Sequence, residues 1–276
     1  MLESKTIGFI GAGSMAEAIL GGLITENKVK PHQVCIVNRE NHVRLKELCQ
    51  RYGLDLSRQK EENVADADIV ILAVKPKDMI DVLQKWGRCL KDGQILISVA
   101  AGIPTELIEN YIQNKVSVLR VMPNTSCHVG LSATAMSQGS RATRQAVEIT
   151  RQIFSTIGLV IVVEEALMDA VTGLSGSGPA YIYYLVEALE SAGVSAGLNK
   201  KTARMLTVQT LLGAAHMLLE SGKDAKELRQ EVTSPGGTTM AGLQALSDYR
   251  VDEAVKIAVL KAKERADELG KQYAST

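Results

Sequence analysis

Ile7-Gly8-Phe9-Ile10-Gly11-Ala12-Gly13-Ser14-Met15-Ala16-Glu17-Ala18-Ile19-Leu20-Gly21-Gly22 runs a short apolar strand through Gly11-x-Gly13-x-x-Ala16 into a helix. Gly11 permits a sharp exit from the strand. Gly13 removes the Cβ that would hold a pyrophosphate off the backbone, and small Ala16 lets the helix pack closely on the strand. Free amides at the start of a helix over Ser14–Thr25, with the helix dipole behind them, then face the phosphates. Glycines alone would mark only a tight turn. Placed between a strand at Thr6–Ile10 and a helix, they predict a bound dinucleotide.

The next apolar run, Gln33–Val37, ends at Asn38-Arg39, where a site for NAD usually carries a carboxylate for the ribose 2′-hydroxyl. None stands there. Asn38 offers an amide donor and Arg39 a partner for a 2′-phosphate, so the residues favour NADPH (NADP+), with NADH as a second donor. The competing reading makes Arg39 a solvated loop charge.

A chain of 276 residues is long enough for about two domains. Its 31 basic and 31 acidic residues cancel, leaving no field for nucleic acid or an anionic membrane and pointing to a small-molecule substrate. Charges interrupt every apolar run before membrane-spanning length, and the first residues lack a signal pattern. Cys35, Cys49, Cys89 and Cys127 are widely spaced and read as reduced thiols, so a cytoplasmic location is expected. His32, His42, His128 and His216 form no metal or triad pattern. His128 alone draws interest, because it follows Met122-Pro123-Asn124.

Five further apolar segments, 69–74, 95–100, 116–121, 131–136 and 159–163, alternate with amphipathic stretches. That alternation predicts an α/β Rossmann-like doubly wound sheet, largely parallel, over residues 1–164. Such sheets bind ligands beyond the carboxyl ends of their strands. Ala73-Val74-Lys75-Pro76, Ala100-Ala101-Gly102-Ile103-Pro104 and Met122-Pro123-Asn124-Thr125 stand there, with small residues and prolines suited to a groove. Pro76 and Pro104 also fit first helical positions.

From residue 165 to 276 the pattern is helical, predicting an all-α dimerisation and substrate-binding domain. Helices over 180–192 and 201–219 are apolar almost all round, and 112 residues are too few to enclose both. Another subunit is the simplest cover, giving at least a homodimer. Within this half, Val232-Thr233-Ser234-Pro235-Gly236-Gly237-Thr238-Thr239 breaks the periodicity. Pro235 fits a first helical position capped by Thr233 or Ser234, and the amides of Gly237, Thr238 and Thr239 suit a carboxylate. A glycine-rich helix start without a ligand is the plainer alternative.

Gly173-Leu174-Ser175-Gly176-Ser177-Gly178-Pro179-Ala180 reads as a loop ahead of the first apolar helix. β-Hydroxyacid dehydrogenases follow a similar run with a catalytic lysine and an asparagine. Here Ile182 and Val186 stand in those places, so no base for a hydroxyl proton is present and alcohol oxidation is disfavoured. An imine acceptor needs less acid–base help, because its nitrogen can already carry the proton.

Taken together, the segment 7–16, Ala73–Pro76, Arg120-Val121-Met122-Pro123-Asn124, the segment 173–181 and Ser234–Thr239 resemble the pyrroline-5-carboxylate reductases. The resemblance covers essentially the whole chain, and its last two segments are the specific ones. It implies reduction of the cyclic imine to L-proline with NADPH or NADH. It implies cofactor contacts from Gly11, Ala12, Gly13, Ser14 and Met15, from Asn38 and Arg39, from Ala73, Val74, Lys75 and Pro76, and from Ala100, Ala101 and Gly102. Ser234, Gly236, Gly237, Thr238 and Thr239 would bind the substrate carboxylate, with Thr239 nearest the ring nitrogen. Intertwined dimers are implied too, in many members gathered into a decamer. Family members often have other polar residues where Glu231 stands. On this reading the nicotinamide is expected beside Met122, Pro123 and Asn124, with closure between the domains. Two other readings stay open: an NADP-dependent reductase of another small carboxylated imine or keto acid, and a non-catalytic NADP(H)-sensing protein.

Overall fold

The computed structural model describes residues 2–274. The chain runs β1 (Ile7–Ile10), α1 (Ser14–Thr25), β2 (Val34–Val37), α2 (His42–Tyr52), α3 (Glu61–Ala65), β3 (Ile69–Leu72), α4 (Met79–Trp86), β4 (Ile95–Ser98), α5 (Thr105–Asn110), β5 (Ser117–Met122), β6 (Ser132–Gln138), α6 (Arg144–Phe154) and β7 (Gly158–Val162). Only helices follow among the described residues: α7 (Met168–Val171), α8 (Gly178–Ser195), α9 (Lys200–Glu220), α10 (Ala225–Glu231), α11 (Thr238–Asp248) and α12 (Val251–Ala274).

The seven strands form one sheet in the order β2-β1-β3-β4-β5-β6-β7. All neighbours are parallel except β5 and β6. β1, β3 and β4 are buried along their whole length, as strands covered on both faces must be. Alternate residues therefore feed two separate cores. Ile7, Phe9, Ile69 and Ile71 pack with Ile19, Leu20 and Leu23 of α1, whereas Ile10, Val70 and Leu72 pack with Met79 and Leu83 of α4.

Every expected strand is present, but the runs expected at 69–74 and 95–100 stop at Leu72 and Ser98. Ala73-Val74 and Val99-Ala100 are apolar because the loops beyond the sheet carry them. The strand order reverses at β1, with β2 on one side and β3 on the other, which is where sheets of this kind bind ligands beyond their carboxyl ends.

Contacts divide the chain into two compact units, one running to Ser177 and including the chain from Leu260 onward, the other Gly178–Val259. The first holds the sheet. In the second, α8 and α9 pack together, with Gly193 close to Ala203. Ala203 is the one fully buried residue among the described residues of these two helices. Tyr183, Tyr184, Leu189, Met205, Leu206 and Leu219 are exposed in the single chain. Helices apolar around their circumference are thus left uncovered by their own unit, as expected of surfaces completed by a second copy. No helix among the described residues is long and apolar enough to cross a membrane.

Candidate active site

The first unit carries a groove of about 1350 Å³ over the ends of β1, β2 and β3. It is lined by Gly11, Ala12 and Gly13, by Asn38 and Arg39, and by Ala73, Val74 and Lys75. Backbone geometry explains the cradle. Gly11 has φ +104°, its amide donates to Val37 O at 2.9 Å, and a Cβ there would lie 2.5 Å from Ala73 O. Only glycine fits between β1 and the chain leaving β3. Gly13 is different. It precedes α1 in extended conformation, and a Cβ there would meet no atom within 4 Å. The space is open towards the groove, where a bound pyrophosphate would pass.

No side chain caps α1, so its first amides and their dipole are available to an anion. Glu17, the acidic residue of that first turn, is held by Arg44 and Arg51 and does not neutralise the helix end. At the far end of the groove, Asn41 caps α2 by accepting from the Arg44 amide at 2.9 Å, and Asn38 Nδ2 donates to Asn41 O at 3.2 Å. Among the described residues Arg39 pairs with neighbouring Glu40 alone, and its side chain is 69% exposed. A guanidinium so held is free to take a phosphate. Lys60 also lines the groove, a cation that the sequence pattern does not single out. The residues present fit a phosphorylated dinucleotide.

Other expected contacts lie outside the groove lining. Ser14 and Met15 belong to the first turn of α1, and Ser14 Oγ lies 2.7 Å from His128 Nε2. Pro76 opens a short helical turn beside Lys75. Ala100 is buried, Ala101 is half-buried, and Gly102, at φ +72°, would drive a Cβ to 3.1 Å from Ala266 O of α12. Met122 reaches Gly176, Pro123 is buried, and Asn124 Nδ2 donates to Ser175 O at 3.0 Å. Asn124 thereby ties the end of β5 to the glycine-rich segment.

That segment departs from expectation. Thr172–Gly176 is one wide π-helical turn continuing α7, not a loop. Hydroxyls hold the wide turn: Thr172 Oγ1 donates to Met168 O at 3.0 Å and Ser175 Oγ to Val171 O at 3.2 Å. Such turns concentrate at functional sites. Nearby, Arg120 on β5 is 3% exposed and bonds Glu165 and Asp169 at 2.9 Å each, while Ser137 Oγ donates to Glu165. This cluster clamps the chain after β7 to the sheet. Nothing in the spacing of the three residues signals it.

In the second unit, Pro235 is not in a helix, contrary to the sequence reading. The chain turns at Gly236 with φ +70°, and α11 starts at Thr238 with Gly237 as its cap residue. A positive φ requires the turn to finish before the helix begins, and neither Thr233 nor Ser234 caps it. The Gly237 amide donates to Ser234 O at 3.0 Å. The amides of Thr238 and Thr239 are the first of the helix and have no acceptor within it. Both threonine side chains are exposed. Glu231 ends α10 and pairs with Lys223 at 2.5 Å. No group of three or more acidic, histidine or cysteine side chains suited to a metal occurs among the described residues.

Residues 165–269 match the family model for pyrroline-5-carboxylate reductase dimerisation, and residues 6–102 match one described as NADP oxidoreductase coenzyme F420-dependent. Pyrroline-5-carboxylate reductase 2 of Bacillus subtilis is 45% identical, over 98% of this chain and 97% of its own. The structure of a pyrroline-5-carboxylate reductase from Coxiella burnetii superposes with a TM-score of 0.89 at 36% identity, covering 97% of this chain and 99% of that one. Pyrroline carboxylate reductase of Plasmodium falciparum, solved with NADP bound, gives 0.85 at 29% identity, covering 98% of this chain and all of the other. With relatives of this identity along its whole length, the chain belongs to the pyrroline-5-carboxylate reductase family.

Proposed function

We propose that the chain reduces 1-pyrroline-5-carboxylate to L-proline, taking NADPH in preference to NADH. The observation that carries this reading is the pair of uncapped, glycine-opened helix starts. One lies at the strand crossover with an open Gly13, the other at Gly237–Thr239. Residues 1–164 act as the dinucleotide domain and residues 165–276 as the dimerisation and substrate domain.

Gly11–Met15 and Ala73–Pro76 cradle the dinucleotide, Asn38 and Arg39 select the 2′-phosphate, and Ala100–Gly102 and Met122–Asn124 border the nicotinamide end. When bound, the reduced nicotinamide supplies a hydride to the imine carbon. The turn from Ser234 through Gly236 sets the Thr238 and Thr239 amides to hold the substrate carboxylate. Gly237 shapes that turn rather than donating, since its amide is already engaged. The Thr239 hydroxyl bonds the ring nitrogen, which brings its own proton from solution. No protein base is needed, which accounts for a site without a lysine or histidine at the substrate turn. Exposed α8 and α9 faces bury against a second copy, and dimers assemble further into a decamer in the cytoplasm.

The test follows NADPH oxidation with pyrroline-5-carboxylate, with pyrroline-2-carboxylate and with neither. Turnover with the first alone is expected. Turnover with the second in preference would mark a different imine reductase, and binding without turnover would mark a sensor.

A further inference from the structure

His128 takes no part in the reaction just described, yet its ring touches the helix start that the cofactor uses. Its Nε2 lies 2.7 Å from Ser14 Oγ, across 114 residues of sequence. Ser14 is the first residue of α1 and directly follows Gly13, which lines the groove. Because Gly13 has no side chain, Ser14 is the first residue of that helix start to carry a hydroxyl.

The direction of this hydrogen bond decides what Ser14 can do. If Ser14 donates to an unprotonated Nε2, its proton is spent and its lone pairs face the anion. If Nε2–H donates to Oγ, the hydroxyl proton is free for a phosphate oxygen. An imidazolium can only donate. Protonation therefore turns the hydroxyl towards the anion and places a positive charge one hydrogen bond behind it.

Resting on the cofactor reading above, we propose that His128 is a positioning residue that orients the Ser14 hydroxyl for the dinucleotide's pyrophosphate and couples cofactor affinity to pH. The surroundings leave His128 in control. It sits on the short turn Thr125–Val129, packed against α1, β6 and the turn Ser155–Ile157. Glu17 is the only acidic or basic residue on those elements besides His128, and Arg44 and Arg51 hold it. The thiol of Cys127, on the same turn, is pushed up by burial and stays neutral. Linkage fixes the sign: an anion that favours the imidazolium binds more tightly as pH falls.

Calorimetric titration of the full chain with NADP+ at about pH 6 and about pH 8 tests this, because imidazole side chains as a class change charge in that range. The 2′-phosphate of the probe also titrates in that range, so the readout is wild type against variant. Wild type should gain roughly three- to tenfold more affinity on acidification than His128→Leu, the span of one charge-assisted contact at an exposed site. His128→Gln, which can donate through its amide but never carries charge, should lose the pH differential as His128→Leu does. Ser14→Ala should lose the differential. Histidine ring resonances give an independent reading: one of the four should titrate at higher pH once NADP+ is bound, and be missing in His128→Leu. Equal pH dependence in wild type and His128→Leu, or an unmoved His128 resonance, overturns the proposal while leaving the reductase reading intact. A wild-type chain that binds no NADP+ overturns both.

Discussion

Replacing Gly13 by alanine separates what the helix start needs for folding from what it needs for the cofactor. At φ −76° and ψ −177° the backbone is one that any L-residue adopts, and the added Cβ meets no protein atom within 4 Å. On the fold alone Gly13→Ala should be neutral or stabilise by about 0.4–1 kcal/mol, because the unfolded chain loses freedom. For a two-domain chain that is a rise in Tm of roughly 1–4 °C. On the proposed cofactor reading, the same methyl would occupy the space through which a pyrophosphate approaches the α1 amides. Lengthening one charge-assisted hydrogen bond costs about 1.5–3 kcal/mol, or about a 10- to 150-fold rise in Kd for NADP+. Thermal melts and NADP+ titrations on one preparation give both numbers. Gly11→Ala is the control: at φ +104° with Ala73 O at 2.5 Å, it should lower Tm. A Gly13→Ala chain that binds NADP+ as wild type does, or that melts lower than wild type, refutes the cradle.

Arg39→Asp should raise the KM for NADPH by about 10- to 100-fold while moving that for NADH far less, as steady-state kinetics will show, because only the former carries a 2′-phosphate. Thr239→Ala should cost at least about tenfold in kcat/KM, equivalent to about 1.4 kcal/mol of transition-state stabilisation, measured by NADPH oxidation. Leu206→Asp, on an exposed face of α9, should shift the assembly towards monomer in light scattering. Two-fold symmetry repeats the loss of about 1.5–3 kcal/mol per buried leucine. Burial pushes the Cys35 thiol up to about 11, the nearby Arg58 opposing it only in part, so a disulfide reagent at neutral pH should label exposed Cys89 and spare Cys35. Because the folded value is the higher one, Cys35 favours the folded state below the ordinary thiol range, and that contribution is lost as pH rises towards 11.

Much of the fold is legible in residues close together in sequence. The helix Ser14–Thr25 and the existence of all seven strands follow from local period and flanking glycines, as does the helical remainder. Strand ends are less legible. Ala73-Val74 stays apolar to line a groove, and composition cannot tell that from a strand. Pro235 misleads because proline is common at first helical positions, whereas the constraint that wins is Gly236 in the left-handed region. The segment Thr172–Gly176 reads as a break because its glycines lack helix propensity, yet back-bonding hydroxyls wind it into a π turn. Pairings such as Ser14 with His128, or Arg120 with Glu165 and Asp169, join elements that only the sheet's topology brings together.

The two units differ in when they can mature during synthesis. The sheet's strands all precede residue 163, and each adds beside one already made, so the sheet can form while later segments are still being translated and awaits only the chain from Leu260 to complete its unit. The α8 and α9 surfaces have no such option: they stay greasy until another polypeptide arrives, and apparent resistance to unfolding therefore grows with protomer concentration. In a cell making both intact and inactive copies, mixed assemblies are the natural outcome.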